Sequence, residues 1–283
     1  MRELEYKEIV DAISKMVIHT AYNLPKDALE SMKEAYENEK SPVSKEVLRQ
    51  LLENAKIASS ESRPLCQDTG LGVFFVKVGE DLKIKGGSLK DAINEGTRIG
   101  YEKGYLRAST CEPFSRKNLK DKIGYNLPAI IHFDIVEGDK LDIEYAAKGG
   151  GSENVSRATV LPPAAGKEGV IEYVKQVVSD AGPNPCPPLT VGVGIGGTFE
   201  KAAISSKHAL FRDIGSINDD PEMAELEKRI KDELNKLGIG AMGMGGTESV
   251  LAVHIEANPC HIASLPVSVN VQCHSSRHSH IVL

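Results

Sequence analysis

Tryptophan is absent from this chain of 283 residues, and aromatic side chains make up only 5% of it. That leaves few rings on which unpaired bases could stack, so a platform for single-stranded nucleic acid is disfavoured. No uninterrupted apolar run reaches the roughly 18–20 residues that a membrane helix needs. Met1 to Tyr6 are charged and lack the apolar centre of a secretory signal. A basic excess is missing too: 34 Lys and Arg face 40 Asp and Glu, for a formal charge of −6. A general nucleic-acid surface would want the opposite balance. The expected compartment is therefore the cytoplasm, with neither membrane nor nucleic acid as a partner, although a local pocket for an anionic substrate stays open. Cysteine is scarce, five in number and widely spaced, so a disulfide framework is not expected. Thiols beside His, Asp and Gln in a reducing compartment point instead to metal binding or catalysis.

The length suits one large domain or two small ones. With no internal repeat, low-complexity segment or long linker, the reading is a single domain over 1–283. Residues 1–60 form a helical layer in this reading, and 61–283 a mixed part. Ile9, Ile13, Met16 and Val17 recur at helical spacing. A second helix begins near Pro25. A third begins at Ser41-Pro42, with Val47, Leu48, Leu51, Leu52 and Ala55 on one side. Val73–Val78 reads as a strand and Ser88–Tyr105 as a helix. Two β-rich runs, Ile130–Val136 and Leu141–Ala147, flank Glu137-Gly138-Asp139-Lys140 and predict a hairpin. Helices are expected over Gly166–Asp180, Phe199–Leu210 and Pro221–Leu237, and strands over Val250–Ala257 and Val267–Val271. The fold class is α+β, a helical layer on mixed or antiparallel sheets.

Four stretches carry candidate chemistry. Pro64-Leu65-Cys66-Gln67-Asp68-Thr69-Gly70 puts a thiol, an amide and a carboxylate on consecutive residues of a loop, where reactive groups tend to sit. A buried cysteine beside a turn explains it equally well. Gly149-Gly150-Gly151, followed by Ser152-Glu153-Asn154, lets the backbone approach a ligand and offers N–H donors to an anion, unless it is only a flexible strand tip. Cys186 is fenced by prolines, as a ligand that must not move would be, or as a stiff surface turn would be. Gln272-Cys273-His274 ends the last expected strand. Gly192, Gly194 and Gly197 fit G-x-G-x-x-G, and so do Gly238, Gly240 and Gly243. Neither copy sits in a clean strand–helix–strand unit. For the first, a turn presenting N–H donors to an oxyanion at a helix N-terminus is the stronger expectation.

Cys66, Cys186 and Cys273 share a context of predicted turns and strand ends, yet they show no compact zinc or ferredoxin spacing. Three thiolates can hold three irons of a cubane cluster and leave the fourth open as a Lewis acid. In order along the chain, Cys66-Gln67-Asp68-Thr69-Gly70, Gly149–Asn154, Cys186–Thr198 and Val269–His274 resemble the α subunit of the two-subunit iron–sulfur hydro-lyases, the class I fumarases and L(+)-tartrate dehydratases. The resemblance spans nearly the whole chain. It implies a [4Fe-4S] cluster on Cys66, Cys186 and Cys273, with loops that converge at one edge of the fold. It further implies a dicarboxylate substrate held by Gln67, Asp68, Arg107, His261 and the backbone of Gly149, Gly150 and Gly151. An Asp68–His261 pair would supply a proton to the leaving hydroxyl. A β subunit would supply the base that takes the carbon-bound proton, in an α2β2 assembly. Malate and fumarate are the first substrates it suggests, tartrate the alternative.

Other assignments compete. Cys260 could replace one of the three ligands, and Arg116 could replace Arg107. Cys111 reads as a bystander. His208 is either a core residue or a support to the site. His274, His278 and His280 read as a polar strand end near a subunit interface, or as a divalent-metal site. Rival functions are a zinc protein using Cys260, His261, Cys273 and His274, a nucleotide-dependent oxidoreductase using the glycine strings, and a non-catalytic interaction module.

Overall fold

The computed structural model describes residues 2–283. Its elements begin with β1 (Arg2–Glu5), α1 (Tyr6–Tyr22), α2 (Lys26–Asn38), α3 (Pro42–Glu61), β2 (Leu71–Gly79), β3 (Leu82–Lys85), α4 (Leu89–Lys103) and α5 (Lys120–Ile123). Next come β4 (Ile130–Val136), β5 (Leu141–Lys148), α6 (Gly150–Glu153), β6 (Arg157–Leu161), α7 (Gly166–Ala181), β7 (Leu189–Gly196) and α8 (Phe199–His208). The chain ends with α9 (Pro221–Asn235), β8 (Val250–Asn258), β9 (Leu265–Gln272) and β10 (His278–Val282). This is the α+β class expected from the sequence, with parallel and antiparallel pairs in the same sheets. No helix among the described residues is long and apolar enough to cross a membrane. The chain groups into two compact units. The first runs up to Pro25 and adds Ala55–Gly149 and Arg277–Leu283; the second holds Lys26–Asn54 and Gly150–Ser276. Thus α1 belongs to the first unit and α2 to the second, while α3 carries the chain from the second back to the first.

The first unit is built on a sheet in the order β10-β5-β2-β4. The hairpin expected from Ile130–Val136 and Leu141–Ala147 is not formed: β2 lies between β4 and β5, parallel to the one and antiparallel to the other. With Val73, Phe74 and Val76 buried, β2 takes the central position that an apolar strand favours. The Glu137–Lys140 connection steps across its end. Gly79 permits the crossing, since a Cβ there would lie 2.4 Å from the Gly138 carbonyl oxygen. The crossing is fixed by N–H bonds of 2.9 Å from Gly79 to Lys140 and from Asp81 to Gly138. Ile9, Ile13, Val17, Ile93 and Tyr101 of α1 and α4 share one apolar core with Phe74, Ile143 and Tyr145 of the sheet.

The second unit has a sheet in the order β6-β9-β7-β8. Alternation along β7 sorts its two faces. Val191 and Val193 join the core with Val174 and Val178 of α7 and Ile230 and Leu234 of α9. Gly192 and Gly194 point the other way, against α8. A Cβ on either would lie 2.0 Å from a helix carbonyl oxygen, that of Ser206 or of Ala202. The first glycine string is therefore mostly strand, where a turn was expected, and it lets a helix seat directly on the backbone. Strands β1, β3, β6 and β10 escaped the pattern reading because each has only four or five residues and much polar character.

Candidate active site

In the first unit, Pro64–Gly70 joins α3 to β2 as an irregular segment held by side chains from elsewhere. Asp68 Oδ1 accepts the Gly70 N–H at 2.9 Å, an Asx-type turn. The Thr69 hydroxyl oxygen accepts the Arg107 N–H at 2.9 Å, which brings the Arg107 backbone beside the segment. The Gly70 carbonyl accepts from the Tyr101 hydroxyl and the Asn126 amide, both at 2.8 Å. Burial raises the Tyr101 phenol above its ordinary range, so it stays a donor. Arg277 is 1% exposed, and its Nη1 donates to the Asp68 carbonyl at 2.7 Å. Gly149 comes close as well, for a Cβ there would lie 3.2 Å from Asp68 Oδ2. Cys66 is half-buried and donates to Gln67 Oε1 at 3.3 Å. Gln67, Arg107 and Arg116 are exposed. Cys111 forms an isolated bridge with Asn118.

In the second unit, the Cys186 turn meets the end of β9. Cys186 has φ +57°, and its N–H donates to the Pro183 carbonyl at 3.0 Å. Its own carbonyl accepts the His274 N–H at 3.1 Å, which joins the Cys186 turn to the residue after Cys273. Both thiols are half-buried. Gly151 and Asn184 line one cavity of about 440 Å³ with Asn154 and Arg157, so Gly151 borders this turn. Gly150 opens the short helix α6, and Ser152 within it is buried. His261 lies on an exposed turn after β8. Its Nδ1 accepts the Ala263 N–H at 3.1 Å, which leaves the ring proton of a neutral imidazole on Nε2. Cys260 is exposed and donates to the Ser264 carbonyl at 3.3 Å. His208 is half-buried against the Glu256 carboxylate. Cys260, His261, Cys273 and His274 do not gather their donor atoms within 4.8 Å of one another among the described residues. His280, in the first unit, instead pairs with Asp142 at 2.8 Å.

The second glycine string gains a role that the sequence did not disclose. Gly238, Gly240, Gly243 and Gly245 all have positive φ, and so does Met242 at +51°. The loop they form is gripped from the α2–α3 elbow. The Glu39 carboxylate, 4% exposed, accepts the N–H groups of Ser41, Thr247 and Glu248 at 2.8–3.0 Å and the Thr247 hydroxyl at 3.2 Å. The Ser44 hydroxyl oxygen accepts the Ala241 N–H at 2.7 Å. From there the Met242 N–H donates to the Pro187 carbonyl at 2.8 Å, directly after Cys186. Burial pushes the Glu39 carboxyl up, but its donors outweigh that and hold it below the ordinary range.

A sequence model of the fumarate hydratase (Fumerase) family matches residues 10–282. A Methanocaldococcus jannaschii protein with the provisional description L(+)-tartrate dehydratase subunit alpha is 40% identical over 272 residues, 95% of each chain. The L(+)-tartrate dehydratase subunit alpha of Escherichia coli K12 is 35% identical over 284 residues, 98% of this chain and 92% of that one. The chain belongs to the fumarate hydratase family of hydro-lyases, as its four motifs implied.

Proposed function

We propose that the chain is the α subunit of a cytoplasmic iron–sulfur hydro-lyase that interconverts malate and fumarate. In this reading Cys66, Cys186 and Cys273 are thiolate ligands of a [4Fe-4S] cluster. The observation that carries it is the hydrogen bond from His274 N–H to the Cys186 carbonyl, which sets two thiol-bearing turns side by side although they are remote in sequence. The donor set suits the group: three half-buried thiols, none in a disulfide. When bound, such a cluster supplies a Lewis-acidic iron that weakens the carbon–hydroxyl bond.

The remaining work falls to side chains and backbone. Gln67, Arg107 and the N–H groups of Gly149, Gly150 and Gly151 bind the substrate carboxylates. Asp68 faces the substrate in this reading, on a turn set by the bond from the Gly70 N–H to its Oδ1. His261 directs its Nε2–H at the departing hydroxyl as a hydrogen-bond donor, which stabilises the charge that develops there. A β subunit completes the pocket and supplies the base for the carbon-bound proton, in an α2β2 assembly. A second reading, dehydration of L(+)-tartrate, is favoured by the descriptions of the curated relatives.

The test is the anaerobically prepared complex with its β subunit, assayed on malate, fumarate and L(+)-tartrate. The expected kcat/KM on malate is at least about tenfold that on tartrate, a gap of ~1.4 kcal/mol. The reverse ranking would transfer the assignment to tartrate. An iron-loaded complex that turned over none of the three would contradict both readings.

A further inference from the structure

β4 is the outermost strand of its sheet: β2 holds one edge, and among the described residues no strand pairs with the other. Natural edge strands are usually short, charged or covered. This one runs for seven residues and leaves Ile130, Phe133 and Ile135 43%, 46% and 74% exposed. The opposite edge, β10, reads His-Ser-His-Ile-Val and is far more polar. The apolar edge calls for a strand-shaped partner.

We propose that β4 pairs antiparallel with β4 of a second copy of this chain, about a two-fold axis through Phe133. The order of its side chains selects that partner and that register. On one face, Ile131 and Ile135 of each copy stand opposite Ile135 and Ile131 of the other, with the two Phe133 rings between them. On the other face, each His132 stands opposite the second copy's Asp134, an imidazole against a carboxylate. A pairing centred on Asp134 would set two carboxylates face to face, and one centred on His132 would set Ile130 against Asp134. Like charges directly opposite one another destabilise a strand pair, whereas opposite charges and apolar pairs support it. A two-fold interface requires this kind of self-complementarity. His132 is already oriented on its face, stacked on Phe75 with ring centroids 4.7 Å apart. The contact would join two sheets into one continuous eight-stranded sheet, twice the order β10-β5-β2-β4. It depends on neither the cluster nor the substrate.

The test is the mass of the full chain in solution, alone and with its β subunit, by light scattering and sedimentation. The wild-type chain should contribute two copies to each particle. Ile135→Lys should weaken this self-association at least tenfold without lowering the unfolding temperature, because Ile135 is largely exposed. Asp134→His should weaken it too, and His132→Asp combined with Asp134→His should restore it by exchanging the two sides of the pair. A chain that stays single in both states would overturn the proposal. So would a dimer unaffected by Ile135→Lys, or β4 variants that lose the β subunit while self-association persists.

Discussion

Glu39→Ala should destabilise the second unit by about 3–5 kcal/mol, because it strips a charged acceptor from three half-buried N–H groups and one hydroxyl. At about 2–4 °C per kcal/mol for a chain of this size, the unfolding temperature should fall by about 10 °C. A more local effect should accompany it. The loop that Glu39 grips hands the Met242 N–H to the Pro187 carbonyl, so loosening the loop frees the Cys186 turn. Alkylation of the metal-free protein, followed by mass spectrometry, should show Cys186 reacting about tenfold faster, with Cys111 unchanged. Uniform acceleration at every cysteine would mean general unfolding and no specific support of the turn. Acid provides a second check. The Glu39 carboxyl is held below its ordinary value of 4.5, so its contribution to stability is fully present above about pH 4.5 and fades as pH falls through the lower, folded value. Glu39→Gln should remove that part of the acid sensitivity.

The second large effect should come from Arg277. Its guanidinium is buried, and Nη1 supplies the 2.7 Å bond to the Asp68 carbonyl. Arg277→Met leaves that carbonyl without its donor and should cost about 3 kcal/mol. Arg277→Lys should recover little of this, since an ammonium cannot reproduce the planar fork. The consequence for the reaction is positional. With Asp68 no longer fixed, kcat of the αβ complex should fall about 100-fold while its iron content is retained. Unchanged turnover in a folded Arg277→Met protein would remove Arg277 from the support of Asp68.

Neither Glu39 nor Arg277 was legible in the sequence. Their partners lie 208 and 209 residues away, and nothing in the local pattern around a lone glutamate or arginine announces such a contact. Asn126 and Tyr101, which hold the Gly70 carbonyl, escaped notice for the same reason. What could be read was local: helices α7 and α9 from their apolar stripes, the central strands from short apolar runs, and the cysteines from the prolines and polar groups beside them. Strand order was not local information. The Glu137–Lys140 connection carries a sound hairpin signal, but the more apolar β2 takes the place between its two strands. The first glycine string shows the same limit, because the residues that explain Gly192 and Gly194 are on the helix that follows.

The three-thiol ligand set is tested most directly by iron and sulfide analysis with an absorption spectrum. The protein is prepared without oxygen, and Cys66→Ser, Cys186→Ser, Cys273→Ser and Cys111→Ser are treated alongside it. About four irons per chain are expected for a [4Fe-4S] site. They should be lost or unstable in each of the first three variants and retained in Cys111→Ser. A folded wild-type protein that stays colourless and iron-free after reconstitution, or a cluster that survives all three substitutions, would contradict the assignment.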